Sequence, residues 1–151
     1  MNSKTIDFGV LKRFNSQGPR YTSYPTAPMF SPEFTASDFK QEIIDTNKKN
    51  DRALSLYFHF PFCAKLCYFC GCTMRVTHDR KLISQYNDYI KKEIDLIAPL
   101  VSKGRKVVQM HWGGGTPSYL LPEEIRDVGN YIKERFGFAD DVEASVEIDP
   151  R

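Results

Sequence analysis

Leu54-Ser-Leu-Tyr-Phe-His-Phe-Pro-Phe-Cys63-Ala-Lys-Leu-Cys67-Tyr-Phe-Cys70-Gly-Cys72 joins two patterns in one stretch. Leu54 to Phe60 alternates with a period of two and is rich in aromatics, which predicts a strand. Immediately after it come all four cysteines of the 151-residue chain, packed between positions 63 and 72. A disulfide scaffold spreads its cysteines to close loops between distant elements. This packing points instead to one metal or cluster site.

Downstream of the cysteines, Ile83, Tyr86, Ile90, Ile94, Ile97 and Val101 recur at spacings of three or four. They predict one apolar helix face, stopped by Gly104. Val107 to Trp112 reads as a second strand running into Gly113-Gly-Gly-Thr-Pro117. Pro122 suits a helix start, and Ile125, Val128, Ile132 and Phe136 give its stripe, with Gly137 as the stop. Val142 to Ile148 reads as a third strand. Upstream, Gly9, Gly18, Pro19, Pro25 and Pro28 predict a mostly irregular arm over 1–34. Thr35-Ala-Ser-Asp38 matches a capping box, with Phe34 and Phe39 placed as a staple, and predicts a helix over about 36–49. The expected division is an arm and helix over 1–52 and a core over 53–151.

The order strand, helix, strand, helix, strand predicts an α/β fold with parallel strands and right-handed crossovers. Strands covered on both faces read as continuous apolar runs, and these do not. Leu54, Leu56, Phe58 and Phe60 share one face, opposite Ser55, Tyr57 and His59. Val108, Met110 and Trp112 oppose Gln109 and His111, and Ala144, Val146 and Ile148 oppose Ser145, Glu147 and Asp149. The common polar face is either a ligand-holding lumen or a face half open to water.

The cysteine loop follows directly on a strand, where parallel α/β folds place their active sites. Spacings of three and then two residues let one short loop offer three thiolates to a cubic cluster, leaving one iron open to an outside ligand. The alternative is zinc, which usually draws its ligands from separated pairs on different elements.

At these residues the chain resembles the radical S-adenosylmethionine superfamily, whose signature is CxxxCxΦC with an aromatic before the last ligand; Phe69 fills that place. Gly113-Gly-Gly-Thr-Pro117 resembles that superfamily's motif for the methionine amino group. Tyr57-Phe-His-Phe-Pro-Phe-Cys63, Gly71-Cys72, His111-Trp-Gly-Gly-Gly-Thr-Pro117, Glu147-Ile-Asp-Pro150 and the arm Gly18-Pro-Arg-Tyr-Thr-Ser-Tyr-Pro-Thr26 are similar to the oxygen-independent coproporphyrinogen III oxidases. The haem-chaperone-like proteins share the barrel but generally lack that arm and the fourth cysteine.

The resemblance implies the β-α-β-α-β portion of a partial TIM-type barrel, a [4Fe-4S] cluster on Cys63, Cys67 and Cys70, and two molecules of S-adenosylmethionine. Tyr57, Gly114 and Glu147 would contact the first; Phe69, Gly115 and Thr116 would contact the second. Cys72 is not a ligand in the family. The implied reaction cleaves S-adenosylmethionine to a 5′-deoxyadenosyl radical, which takes a propionate β-hydrogen. Loss of CO2 and one further electron leave a vinyl group, so coproporphyrinogen III becomes protoporphyrinogen IX. Implied partners are coproporphyrinogen III and an electron donor, with a monomer at full length. Arg20, Tyr21 and Tyr24 are candidates for meeting substrate carboxylates, while His59 and His111 read first as hydrogen-bonded structural histidines.

A net charge of +2 gives no pull toward nucleic acid or a membrane surface. The N-terminus has no apolar h-region and no run approaches a membrane span, so a cytoplasmic location is expected. A full barrel takes about 250 residues. The 151-residue chain is therefore expected not to complete a porphyrinogen site, and to be inactive alone in decarboxylation.

Overall fold

A computed structural model describes residues 7–15, 27–48, 52–68 and 70–150. By its internal contacts the chain forms two compact units, Met1–Thr35 and Ala36–Arg151. In the first, α1 (Phe8–Phe14) starts where the Asp7 carboxylate accepts from the N–H groups of Gly9 at 2.8 Å and Val10 at 3.2 Å. The arm is thus less irregular than its glycines and prolines suggest, because an N-cap supplies partners for the first orphan donors.

The second unit is a parallel three-stranded sheet with helices against its apolar face. Its strands are β1 (Leu54–Phe60), β4 (Val107–Gly114) and β5 (Phe138–Val146), in the order β1-β4-β5. Between β1 and β4 come β2 (Phe62–Cys63) and β3 (Arg75–Val76), a two-residue parallel pair bracketing the cysteine loop. The crossovers are α3 (Arg80–Ile97) and α4 (Pro122–Arg135), and α2 (Ala36–Thr46) precedes the sheet.

Leu54, Leu56, Phe58, Phe60, Met110 and Trp112 meet Ile83, Ile90, Ile94, Val128, Ile132 and Phe136 in one apolar cluster. Phe60, Ile83, Val128 and Ile132 are 0–1% exposed. Burying each such side chain stabilises the fold by about 1.5–3 kcal/mol. Asp79 caps α3 by accepting from Lys81 and Leu82 N–H, and the Glu124 carboxylate accepts from Leu121 N–H at the start of α4.

Three boundaries, one register and the burial of three side chains differ from the sequence reading. The predicted helix over 36–49 ends at Thr46, because Asn47 leaves it to fasten the far side of the fold. Its amide donates to Leu100 O at 2.6 Å and accepts from Ser102 N–H at 3.0 Å. The α3 helix ends at Ile97, well before Gly104, and passes into a 3₁₀ turn, Ala98–Leu100, around Pro99. Proline has no N–H to continue an α-helical ladder.

The register of β1 on β4 shifts between Leu54/Ser55, whose partners are Val107 and Gln109. Val108 is therefore the extra residue of a bulge. It is 40% exposed, while Val107, not assigned to the apolar face, is fully buried. The third strand starts at Phe138 rather than Val142, because Val107 already pairs with Phe138 before a second shift brings Gln109 opposite Glu143. Finally, Ile125 of the predicted α4 stripe is exposed (38%), and so are Val146 (51%) at the end of β5 and Ile148 (65%) beyond it. Ile125 and Val146 line one open cavity together with Met110, Trp112 and Ala144. No helix among the described residues is long and apolar enough to cross a membrane.

Candidate cluster and cofactor site

The three strands bring Tyr57, His111 and Ser145 side by side on the polar face, since Tyr57 pairs with His111 and His111 with Ser145. The His111 ring stacks on Tyr57, and its Nδ1 lies 2.7 Å from Ser145 Oγ. Its Nε2 lies 3.4 Å from Glu147 Oε1. The tautomer that donates from Nε2 to the carboxylate would take the Ser145 proton at Nδ1. The other oxygen of Glu147 accepts from Gly114 N–H at 3.0 Å. Glu147 follows the last paired residue of β5, yet its own N–H still donates to Trp112 O at 2.9 Å.

His59 is set in the same way. Its Nε2 donates to Thr73 O at 2.8 Å, and its Nδ1 lies 3.1 Å from the Tyr57 hydroxyl. That pair ties the end of β1 to the loop leaving the cysteines. Burial holds the Tyr57 phenol above its ordinary range, and the charge of Glu147 adds to this. The reading of both histidines as hydrogen-bonded matches these contacts.

Cys63 is the fixed cysteine. It is buried in β2, and its carbonyl accepts from Thr77 N–H at 3.1 Å. On the other side, Gly115 N–H donates to Phe60 O at 2.8 Å and Thr116 N–H to Phe62 O at 2.9 Å. A Cβ on Gly115 would stand 2.6 Å from the Pro61 carbonyl and 3.0 Å from Cys63 Sγ. Only glycine lets the turn approach the thiol this closely. Gly114 has φ +115°, and a Cβ there would stand 2.6 Å from the His59 ring.

Cys67 and Cys70 lie on the exposed loop, linked by a turn in which Cys70 N–H donates to Cys67 O at 3.2 Å. All four cysteines are thiols rather than disulfides. Cys63, Cys67, Cys70 and Cys72 line one cavity of about 370 Å³ together with Gly115 and Thr116. Burial raises the Cys72 thiol, with the neighbouring Cys70 the next cause. Among the described residues no three His, Cys, Asp or Glu side chains converge as they would on a single ion.

Of the residues singled out in the sequence, the fold gathers Tyr57, Gly114 and Glu147 in one contiguous set, and Cys63, Gly115 and Thr116 in another beside it. Phe69, Arg20, Tyr21 and Tyr24 lie outside the described residues. The sequence reading missed the β2–β3 pair, whose two-residue strands are too short to show a period. It also missed the anchor beyond β3, where Tyr119 donates to Thr77 O at 3.1 Å and Arg80 donates to Tyr119 O at 3.2 Å.

No family model matches the chain. The oxygen-independent coproporphyrinogen III oxidase of Escherichia coli (strain K12) is 47% identical over 145 residues, which are 96% of this chain and 31% of that protein. The protein of that name from Mannheimia haemolytica is 44% identical over 144 residues, 95% of this chain and 96% of its own length. A solved structure of coproporphyrinogen III oxidase from Escherichia coli, described as a radical SAM enzyme, matches with a TM-score of 0.81 and 45% identity. It is matched over 96% of this chain and 31% of its own length. The chain thus spans about a third of the Escherichia coli relatives. Matched along nearly its whole length by a relative of similar size, the chain belongs to the oxygen-independent coproporphyrinogen III oxidase family.

Proposed function

We propose that this chain holds a [4Fe-4S] cluster on Cys63, Cys67 and Cys70 and seats S-adenosylmethionine beside it, as part of the oxidative decarboxylation of coproporphyrinogen III. The observation that carries this reading is the unbroken run of contacts from thiol to carboxylate. Cys63 abuts Gly115, Gly115 follows Gly114, and Gly114 N–H is held by Glu147. When bound on these cysteines, such a cluster would supply the single electron that radical chemistry on S-adenosylmethionine requires.

The residues of the chain bind and orient. Glu147, half exposed and fixed by His111 and Gly114, keeps acceptor capacity toward the open side for the ribose or amino group of the first S-adenosylmethionine. The Tyr57 phenol, with its hydroxyl on His59 and its ring on His111, offers a rigid surface beside it. Gly115 and Thr116, with Phe69, belong to the seat of the second molecule. Cys72 lies in the cavity without ligating. Substrate carboxylates, an electron donor and turnover are expected to need the part of the longer relatives that this chain does not match.

Anaerobic reconstitution with iron and sulfide tests the reading. About four irons and four sulfides per chain are expected, lost on Cys63→Ala, Cys67→Ala or Cys70→Ala and kept on Cys72→Ala. Tight zinc without sulfide, or full iron in Cys67→Ala, would refute it.

A further inference from the structure

Thr116 stands against Cys63, whose main chain is held in the β2–β3 pair. Its N–H donates to Phe62 O at 2.9 Å, and its carbonyl accepts from Tyr119 N–H at 2.8 Å. Cys63 is held from the opposite side by β3, through Thr77 N–H. None of these bonds involves the thiol, so the spacing of the two residues does not depend on what the sulfur binds. Within that frame Thr116 Oγ1 lies 3.2 Å from Cys63 Sγ.

Between a thiol and a hydroxyl either atom can donate. A cysteine that ligates iron is a thiolate and has no proton to give, so only the hydroxyl can then be the donor. Both donors of Thr116 are therefore used within the protein, one on Phe62 and one on Cys63. A hydroxyl lone pair and the methyl group are what remain for a bound S-adenosylmethionine. A hydrogen bond to a ligand sulfur draws charge off it and favours the reduced, more negative cluster; such bonds are among the levers on cluster potential.

We propose that Thr116 is a positioning residue that donates its hydroxyl proton to the Cys63 thiolate and thereby raises the reduction potential of the cluster. This rests on the cluster reading given above. The same contact links the Gly-Gly-Thr turn, which faces S-adenosylmethionine, directly to a cluster ligand.

The test is an anaerobic redox titration of the reconstituted chain, followed by the electron paramagnetic resonance signal of the reduced cluster. Three proteins are compared: the unaltered chain, Thr116→Val, which keeps the shape without the donor, and Thr116→Ser, which keeps the donor. The expected result is a midpoint shifted to more negative potential in Thr116→Val and unshifted in Thr116→Ser. Equal midpoints in the valine variant and the unaltered chain would overturn the proposal, as would a serine variant that shifts with the valine one. Cluster uptake lost in valine but kept in serine, with circular dichroism unchanged in both, also supports it. Loss in both variants counts against it. An unaltered chain that takes up no cluster defeats the underlying reading, whereas a loaded chain with an unmoved valine midpoint defeats this inference alone.

Discussion

The His111 ring lies on the ring of Tyr57, with centroids 5.7 Å apart and planes 20° from parallel. The stack joins neighbouring strands at the centre of the polar face, and His111 extends it to Ser145 on the third and to Glu147 just past that strand's end. One imidazole thus orients two of the residues assigned to S-adenosylmethionine. His111→Leu removes the stack and both hydrogen bonds while keeping an apolar body. Losing a hydrogen bond to a charged group costs about 1.5–3 kcal/mol. Binding of S-adenosylmethionine by the reconstituted chain is therefore expected to weaken about tenfold or more, with iron content unchanged. Equilibrium dialysis against labelled S-adenosylmethionine measures this.

Gly114→Ala places a methyl group 2.6 Å from the His59 ring at a φ of +115°. Strain of this kind costs about 1–3 kcal/mol, to which displacement of His59 adds. The urea midpoint is expected to fall, and S-adenosylmethionine binding to fall further than stability alone explains, because Glu147 loses its place on the Gly114 N–H. Unfolding and dialysis on the same sample separate the two effects.

Ile132→Ala opens a cavity at a fully buried position under the sheet. A loss of about 2–5 kcal/mol is expected, read as a lower urea midpoint. Ile125→Ala on the same helix, at a residue 38% exposed, is expected to cost much less.

Asp95 links α3 to α4. Its carboxylate accepts from the Tyr131 hydroxyl at 2.6 Å and from Arg135 Nε at 3.0 Å. The bond from Tyr131, then that from Arg135, lowers its pKa below the ordinary 3.8. A depressed carboxylate stabilises the folded state fully above its unfolded value and loses that contribution as pH falls through the folded one. The clamp is thus intact at pH 7 and is released only below about pH 3.8. The group is exposed, so the effect is small. Asp95→Asn is expected to be slightly less stable than the unaltered chain at pH 7, with the difference vanishing in strong acid. Urea midpoints across that range follow it.

Much of this was legible in the sequence because it rests on repeating patterns. The alternation of Leu54 to Phe60 and the stripe of Ile83, Ile90 and Ile94 placed strand, helix and core face. Glu147 fell on the polar face by parity alone. What was illegible depends on contacts between distant residues. The bulge at Val108 reversed the parity of Val107 and Val108, and no local signal marks it. The helix end at Thr46 is set by Asn47 reaching Leu100 and Ser102, residues more than fifty positions away. The α1 helix depends on one Asp7 cap in a stretch otherwise read as loop. The bond from Thr116 to Cys63 required two short strands that carry no period.

The most direct test of the central claim is a Mössbauer spectrum of the 57Fe-reconstituted chain, recorded with and without S-adenosylmethionine. If three cysteines hold the cluster and the cofactor takes the open iron, one iron site separates from the others when S-adenosylmethionine is added. The separation is expected to be lost in Glu147→Gln if that carboxylate helps seat the cofactor. A cluster whose irons remain indistinguishable and unmoved by S-adenosylmethionine would contradict the account.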